Sequence, residues 1–293
     1  MKKSFCSSLV GLNAVVIDVE ASFLRAIPSF NIVGLADSSI QESKERIKSA
    51  LDSINFKFPP LKITLNLSPS EIRKSGSHFD LPIALLIATF DKEIDLSQYF
   101  IYGELGLDGT IKDTKEIFIH ILSLAKQNLI SKVICSNKSA KKIANIPNIE
   151  IYGFDNLQEI IQFFDNQSLK ENFTNHELNF DSITLENEKY YFINSFEMDF
   201  HEVRGQEIAL RAALISACGF HNILLEGSPG CGKSMIAKRL RYILPPMSRE
   251  EILQKAVIDT FSNKEPDFKP FRSFRNPHHT STPASIFGGG SKD

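Results

Sequence analysis

Residues 222–234 read Asn222-Ile223-Leu224-Leu225-Glu226-Gly227-Ser228-Pro229-Gly230-Cys231-Gly232-Lys233-Ser234. From Gly227 to Ser234 this satisfies the spacing Gly-x-x-x-x-Gly-Lys-Ser/Thr at every fixed position. The flanks decide between a phosphate cradle and an ordinary glycine turn. The apolar run Ile223–Leu225 predicts a strand before the loop, and Met235 to Leu244, stopped by Pro245-Pro246, predicts a helix after it. Strand, glycine loop and helix is the order that a cradle requires. Glycines at 227, 230 and 232 admit backbone conformations that aim successive N–H groups at one anion. The N-terminus of the following helix adds the positive end of its dipole.

Each residue type in that loop then has a chemical task. Lys233 reaches phosphate oxygens and the Ser234 hydroxyl is placed to ligate Mg2+. The expected nucleotide site is therefore Gly227, Ser228, Pro229, Gly230, Cys231, Gly232, Lys233 and Ser234, with ATP and Mg2+ as its ligands. Cys231 sits at a variable position, where a tolerated small residue is the preferred explanation over a redox-sensitive thiol.

Charge divides the chain around this loop. Residues 1–164 carry 18 basic and 18 acidic side chains, 165–200 carry 2 and 8, and 201–293 carry 13 and 9. A neutral front, an acidic middle and a mildly basic end predict domain, linker, domain over 1–164, 165–198 and 199–293, and 293 residues is long enough for two cores. The formal charge of −2 advertises no overall basic field for nucleic acid. The four cysteines form no CxxC pair, so neither a disulfide frame nor a cysteine-built zinc site is expected. No run reaches 18 apolar residues, which predicts a cytoplasmic chain with no membrane partner.

The first 164 residues read as α+β. Val15–Val19 and Phe30–Gly34 are β-branched runs bounded by turn residues, and Lys62–Leu67 alternates, so all three predict strands. Apolar residues at 40, 47, 50, 51 and 54 predict a helix between Asp37 and Ile54. Leu81–Thr89, apolar on all sides, predicts a buried helix; Asp80 is expected as its cap and Pro82 in its first turn. That reading is preferred over acid–base chemistry by His78 and Asp80. Lys44-Glu45-Arg46-Ile47-Lys48 is expected as a solvated helix face. Ile101–Leu107 with Thr110-Ile111 predicts a hairpin across Asp108-Gly109, Ile117–Leu129 a helix and Val133–Cys135 a strand. The acidic, amide-rich stretch from 165 to 198 predicts a solvated tether in preference to a DNA mimic, with Tyr190–Ile193 as a short strand.

Three stretches of the front half, Asn66-Leu67-Ser68-Pro69, Gly76 to Ala84 and Gly103 to Gly109, resemble the N-terminal domain of the ComM/YifB family of magnesium-chelatase-like AAA+ proteins. The resemblance implies a ribosomal S5 domain 2-like fold, similar to the Lon protease domain, followed by a P-loop AAA+ α/β domain. A Lon-type site needs a serine nucleophile with a lysine base. Those positions fall on Ile83 and near Phe118, so the domain is expected to be non-catalytic. Val203-Arg204-Gly205-Gln206 resembles the entry of AAA+ modules, which places Val203 and Gly205 at the adenine. Phe271 to Thr280 and Ser285 to Ser291 resemble two further family stretches, the first departing from the shorter family spelling at Phe274-Arg275-Asn276-Pro277.

The same resemblance implies hexameric, ATP-driven motors, the ComM type acting on DNA as branch-migration helicases in natural transformation. Arg272 and Arg275, interleaved with Phe271, Phe274, His278 and His279, are candidates for DNA contact, although a packed, solvated loop is the preferred reading. Adjacent histidines at 278 and 279 make a poor metal pair on a strand. Nothing after Ser234 fits an acidic residue ending a second apolar strand; Asp259, the nearest candidate, continues a helix begun at Glu250. The expectation is therefore an incomplete AAA+ module that binds Mg-ATP and turns it over poorly. A nucleotide-binding assembly or DNA-tethering module and a metal-insertion subunit are the alternatives.

Overall fold

Strands Lys2–Val10 (β1) and Asn13–Leu24 (β2) begin the chain as an antiparallel pair, in register from Lys2↔Ala21 to Val10↔Asn13. Gly11, at φ +64°, makes the turn between them in a backbone region that side chains disfavour. The computed structural model of the chain describes residues 1–166, 178–278 and 280–288. It divides into two compact units, Met1–Leu178 with Ala256–Pro266, and Asn179–Lys255 with Asp267–Asp293.

The first unit continues with β3 (Ser29–Val33), α1 (Ser38–Ser53), β4 (Lys62–Ser68), α2 (Asp80–Ala88) and β5 (Phe100–Ile101). Next come β6 (Glu104–Leu105), β7 (Ile111–Lys112), α3 (Ile117–Lys126), β8 (Lys132–Ser136), α4 (Asn137–Ile143), β9 (Glu150–Phe154) and α5 (Leu157–Asn166). Seven strands form one mixed sheet in the order β3-β4-β2-β1-β5-β8-β9. Its pairs β1·β5, β3·β4, β5·β8 and β8·β9 are parallel; β1·β2 and β2·β4 are antiparallel.

Most sequence-derived elements of this unit appear where expected, with local differences that have physical causes. Helix α1 is capped by Asp37, whose carboxylate accepts from the Ile40 N–H at 3.2 Å, and it buries Ile40, Ile47, Ala50 and Leu51. Every residue of α2 is buried, as a helix apolar on all sides requires. Leu81, Ile83, Leu85, Leu86 and Ile87 are each 0% exposed, and burying such a side chain is worth about 1.5–3 kcal/mol. Asp80 is not the cap, however. It is the first residue of α2 and its carboxylate turns to Arg46, whose Nε and Nη2 donate at 2.7 and 3.1 Å. Arg46 accordingly leaves the solvated face expected for 44–48, because a fully buried carboxylate needs a cation. The expected strand Ile101–Leu107 is split: Phe100–Ile101 joins the main sheet, whereas Glu104–Leu105 pairs with Ile111–Lys112 across the Asp108-Gly109 turn.

The second unit starts with a hairpin, β10 (Asp181–Leu185) and β11 (Glu188–Phe192), inside the stretch expected to be a tether. Its two turn residues, Glu186 and Asn187, both have positive φ (49° and 66°), the conformation of the tight turn that matches strand twist. After it come α6 (Glu207–Gly219), α7 (Lys233–Leu240), β12 (Met247–Ser248), which pairs with β11, and the start of α8 (Arg249–Phe261), whose residues from Ala256 on belong to the first unit. Buried Val203, Ala213 and Ile236 form a small core with Phe200, Ala209, Leu210, Ile223, Leu225, Met235 and Leu240 packed on it. The strand expected at 222–226 is not formed. Ile223 and Leu225 turn into this core, but Leu224 is 83% exposed and no described strand pairs with the segment. A strand exists only through its ladder, and local apolar patterning supplies no partner. The predicted helix Met235–Leu244 starts two residues earlier and stops at Leu240.

Candidate functional site

Three glycines shape the loop from 227 to 234. Gly227, Gly230 and Gly232 have φ of 151°, 83° and 93°, values that a residue with Cβ adopts only under strain. A Cβ on Gly227 would also stand 2.9 Å from the Cys231 Sγ, so residues 227 and 231 close the loop against each other. Lys233 folds back into the ring this creates. Its Nζ donates to the carbonyl oxygens of Gly227 at 2.7 Å and Ser228 at 2.8 Å, and lies 3.5 Å from Cys231 Sγ.

Gly232 is the cap residue of α7, and its carbonyl accepts from the N–H groups of Met235 (3.0 Å) and Ile236 (3.1 Å). The N–H groups of Lys233 and Ser234 lie in the first helical turn, ahead of any acceptor their own helix can offer. Ser234 is exposed at that same end, as are Ser228, Pro229 and Gly230 in the loop. The loop thus presents a lysine, a hydroxyl and unspent backbone donors together, a donor set that fits a polyphosphate with its divalent cation.

The entry segment is brought against this loop. Val203 is 8% exposed and packs with Ile236 of α7; Gly205 and Gln206 follow in left-handed conformations, φ 67° and 61°. The Gln206 side-chain amide donates to the Cys231 carbonyl at 3.3 Å, tying the entry to the loop. A residue that sequence reasoning passed over holds this arrangement. Arg239 of α7 donates from Nε to the Asp199 carbonyl at 2.9 Å and pairs with Glu202, whose carboxyl it holds below the usual range. Nothing local in the sequence links 239 to 199–202. Cys231, expected in the loop as a tolerated small residue, has its backbone carbonyl against Gln206 and its Sγ beside Lys233 and Gly227.

The downstream arginines have different surroundings. Arg272 makes a bidentate pair with Glu251 at 2.8 and 3.1 Å, and its guanidinium lies 5.0 Å from the Phe220 ring centroid. Arg275 and Phe274 are exposed. Arg241, not singled out by sequence, stacks over Tyr242 and Phe271 at 4.7 and 4.5 Å beside a cavity of about 260 Å³ that Arg272 also lines. His278 Nδ1 hydrogen-bonds Thr280 at 2.7 Å; His279, Gly289, Gly290 and Ser291 lie outside the described residues. Asp259 lies within α8, as its sequence context predicts. Ile83 and Phe118, the positions of the Lon-type nucleophile and base, are both fully buried.

Comparison with known proteins bears on both parts of the chain. The family described as subunit ChlI of Mg-chelatase matches residues 19–139, and the family described as magnesium chelatase, subunit ChlI, matches residues 199–293. The competence protein ComM of Haemophilus influenzae is 30% identical over 286 residues, which cover 96% of this chain and 54% of that protein. The uncharacterized YifB protein of Escherichia coli gives the same figures, and an uncharacterized protein of Mycobacterium tuberculosis is 27% identical over 296 residues, 99% of this chain and 56% of its own length. The chain spans about half the length of the curated relatives it matches. No described helix is long and apolar enough to cross a membrane. With family matches in both halves and relatives aligned along nearly its whole length, the chain belongs to the ComM/YifB family of magnesium-chelatase-like proteins.

Proposed function

We propose that the second unit binds Mg-ATP through the loop Gly227–Ser234. The observation that carries this is Lys233 Nζ, held by the Gly227 and Ser228 carbonyls inside a three-glycine ring at the start of α7. Lys233 and the backbone N–H groups of the loop would hold the phosphates, Ser234 the Mg2+, and Val203 with Gly205 would border the adenine. Bound ATP supplies the free energy of its γ-phosphate hydrolysis. The residues described here bind and orient it: Gln206 fixes the loop to the entry segment, and Arg239 fixes the entry to α7.

Turnover by this chain is proposed to be poor, since Asp259 stands on a helix and not at the end of a strand beside the loop. The first unit is proposed as a non-catalytic S5 domain 2-like, Lon-like domain, supported by buried apolar side chains at Ile83 and Phe118. For the whole protein we propose a cytoplasmic, hexameric ComM-type motor that migrates DNA branches, with Arg275 and the Arg241–Phe271–Arg272 surface as candidate DNA contacts. The alignment with ComM over 96% of the chain favours this over metal insertion, which the family descriptions alone would suggest.

Phosphate release and nucleotide binding, measured together, test the reading. We expect saturable ATP binding that is strengthened by Mg2+, loss of that Mg2+ effect in Ser234→Ala, and little release of phosphate. ATP binding that is indifferent to Mg2+ in the unaltered chain would overturn the assignment of Ser234.

A further inference from the structure

The first unit encloses a second polar cavity, of about 280 Å³, that the nucleotide reading does not use. Its lining includes His78, His120, Thr114, Glu104, Glu116 and Lys115. From their chemistry we infer that this cavity is a binding site for a small organic ammonium ion, of the primary alkylamine class.

The hydrogen-bond network behind the cavity sets what each imidazole offers. His78 Nε2 is 3.0 Å from the Ser7 carbonyl oxygen, which can only accept, so the proton is on Nε2 and Nδ1 keeps its lone pair. The Tyr102 hydroxyl, fully buried, lies 2.7 Å from Ser7 Oγ, and Ser7 Oγ lies 2.7 Å from His120 Nδ1. A buried phenol must donate its proton, and Ser7 Oγ is its partner. The Ser7 proton then goes to His120 Nδ1, leaving the His120 proton on Nε2. Burial pushes both imidazoles down, so they are neutral at pH 7.

Thr114 supplies the observation that points to a ligand. It is 8% exposed, and its Oγ1 has no hydrogen-bond partner among the described residues. Such an orphaned hydroxyl is costly and calls for an explanation, which a bound donor provides. Three carboxylates, Glu104, Asp113 and Glu116, border the same cavity. Glu104 accepts from Ser77 and from Lys112 Nζ, the latter at 3.0 Å, and is held below the usual carboxylate range by these bonds, so it is ionised and already paired. Glu116 adds a second negative charge, Asp113 is paired with Lys142 at 2.7 Å, and Lys115 is the cation of the lining.

The Glu116 carboxylate, a His78 lone pair and the Thr114 hydroxyl together offer acceptors, which match an ammonium, with three donors and no acceptor. A metal ion fits less well: the proton on His120 Nε2 removes one imidazole as a ligand. Among the described residues no group of three His, Cys, Asp or Glu is placed to hold a metal ion.

The test is a titration of the full chain, with histidine labelled for NMR, by n-butylammonium, n-butanol and butyrate. Saturable shifts of the His78 and His120 resonances are expected with n-butylammonium alone. Affinity should fall at least tenfold in Thr114→Val and in Glu116→Gln, while the thermal midpoint of Thr114→Val does not drop. Equal shifts from butanol or butyrate, no saturation with butylammonium, or unchanged affinity in Thr114→Val would overturn the proposal. So would stoichiometric Zn2+ producing the same shifts at lower concentration.

Discussion

Acid should loosen the first unit through its two buried histidines, and the size of the effect follows from their surroundings. Burial lowers His78 from 6.5 to about 4, against a smaller raising effect of its bond to the Ser7 carbonyl. Burial lowers His120 well below its ordinary value, with neighbouring His78 acting in the same direction. Between pH 6.5 and 4 the unfolded chain binds these protons and the folded chain does not, so stability rises with pH there and is lost as pH falls. Between pH 7 and pH 5 the loss is about 2 kcal/mol for His78, and His120 adds to it in the same direction. Asp80 opposes them: burial, outweighing Arg46, raises it to about 6, so the folded state takes up its proton first and gains about 1 kcal/mol over the same interval. Set against each other, His78 and Asp80 leave a loss of about 1 kcal/mol at pH 5, which His120 increases. Urea unfolding at pH 7 and pH 5, followed by the imidazole resonances of His78 and His120, measures it. In His78→Gln, which retains an N–H for the Ser7 carbonyl, the loss at pH 5 should shrink by about 2 kcal/mol. Imidazoles that titrate near 6.5 in the folded chain, or an unfolding midpoint unmoved at pH 5, would refute the burial argument.

Other perturbations act on single contacts. Arg46→Met leaves the Asp80 carboxylate buried without its cation and should cost about 3–5 kcal/mol at pH 7 in urea unfolding, the deficit shrinking as pH falls toward 6 and Asp80 protonates. Gly232→Ala forces a side chain into φ 93°, so about 1–2 kcal/mol of loop strain and weaker nucleotide binding should appear together in calorimetry. Arg239→Met removes the ties to Asp199 and Glu202; hydrogen exchange should then rise in 199–206 and leave the β10–β11 hairpin unchanged.

Where chemistry is carried by neighbours in sequence, the sequence was readable. The glycine loop is local: its spacing, its lysine and its helix are all within the fourteen residues 227–240, and the structure shows Lys233 inside the ring those glycines make. Helices α1 and α2 and strands β2 to β4 were legible because burial of one face, or of all faces, leaves a periodic trace. What failed to show was pairing at a distance. Arg46 finds Asp80 34 residues away, and without that partner a charged run on a helix looks like a solvated face. Strand β1, with its polar Lys2, Lys3 and Ser4, declares itself only through nine consecutive pairs with β2. The Ser7–Tyr102–His120 chain joins three elements whose sequence separation hides it altogether. The segment 222–226 errs in the opposite direction: apolar enough for a strand, it has no ladder among the described residues.

The central claim, that Gly227–Ser234 is a working nucleotide cradle, is tested most directly by calorimetric titration of Mg-ATP into the chain and into Lys233→Ala. Lys233 would give one charge-assisted contact to the phosphates, worth about 2–3 kcal/mol, so the variant should bind about 30- to 150-fold more weakly with its circular dichroism unchanged. Equal affinity in the two proteins, or no heat of binding in the unaltered chain, would contradict the account.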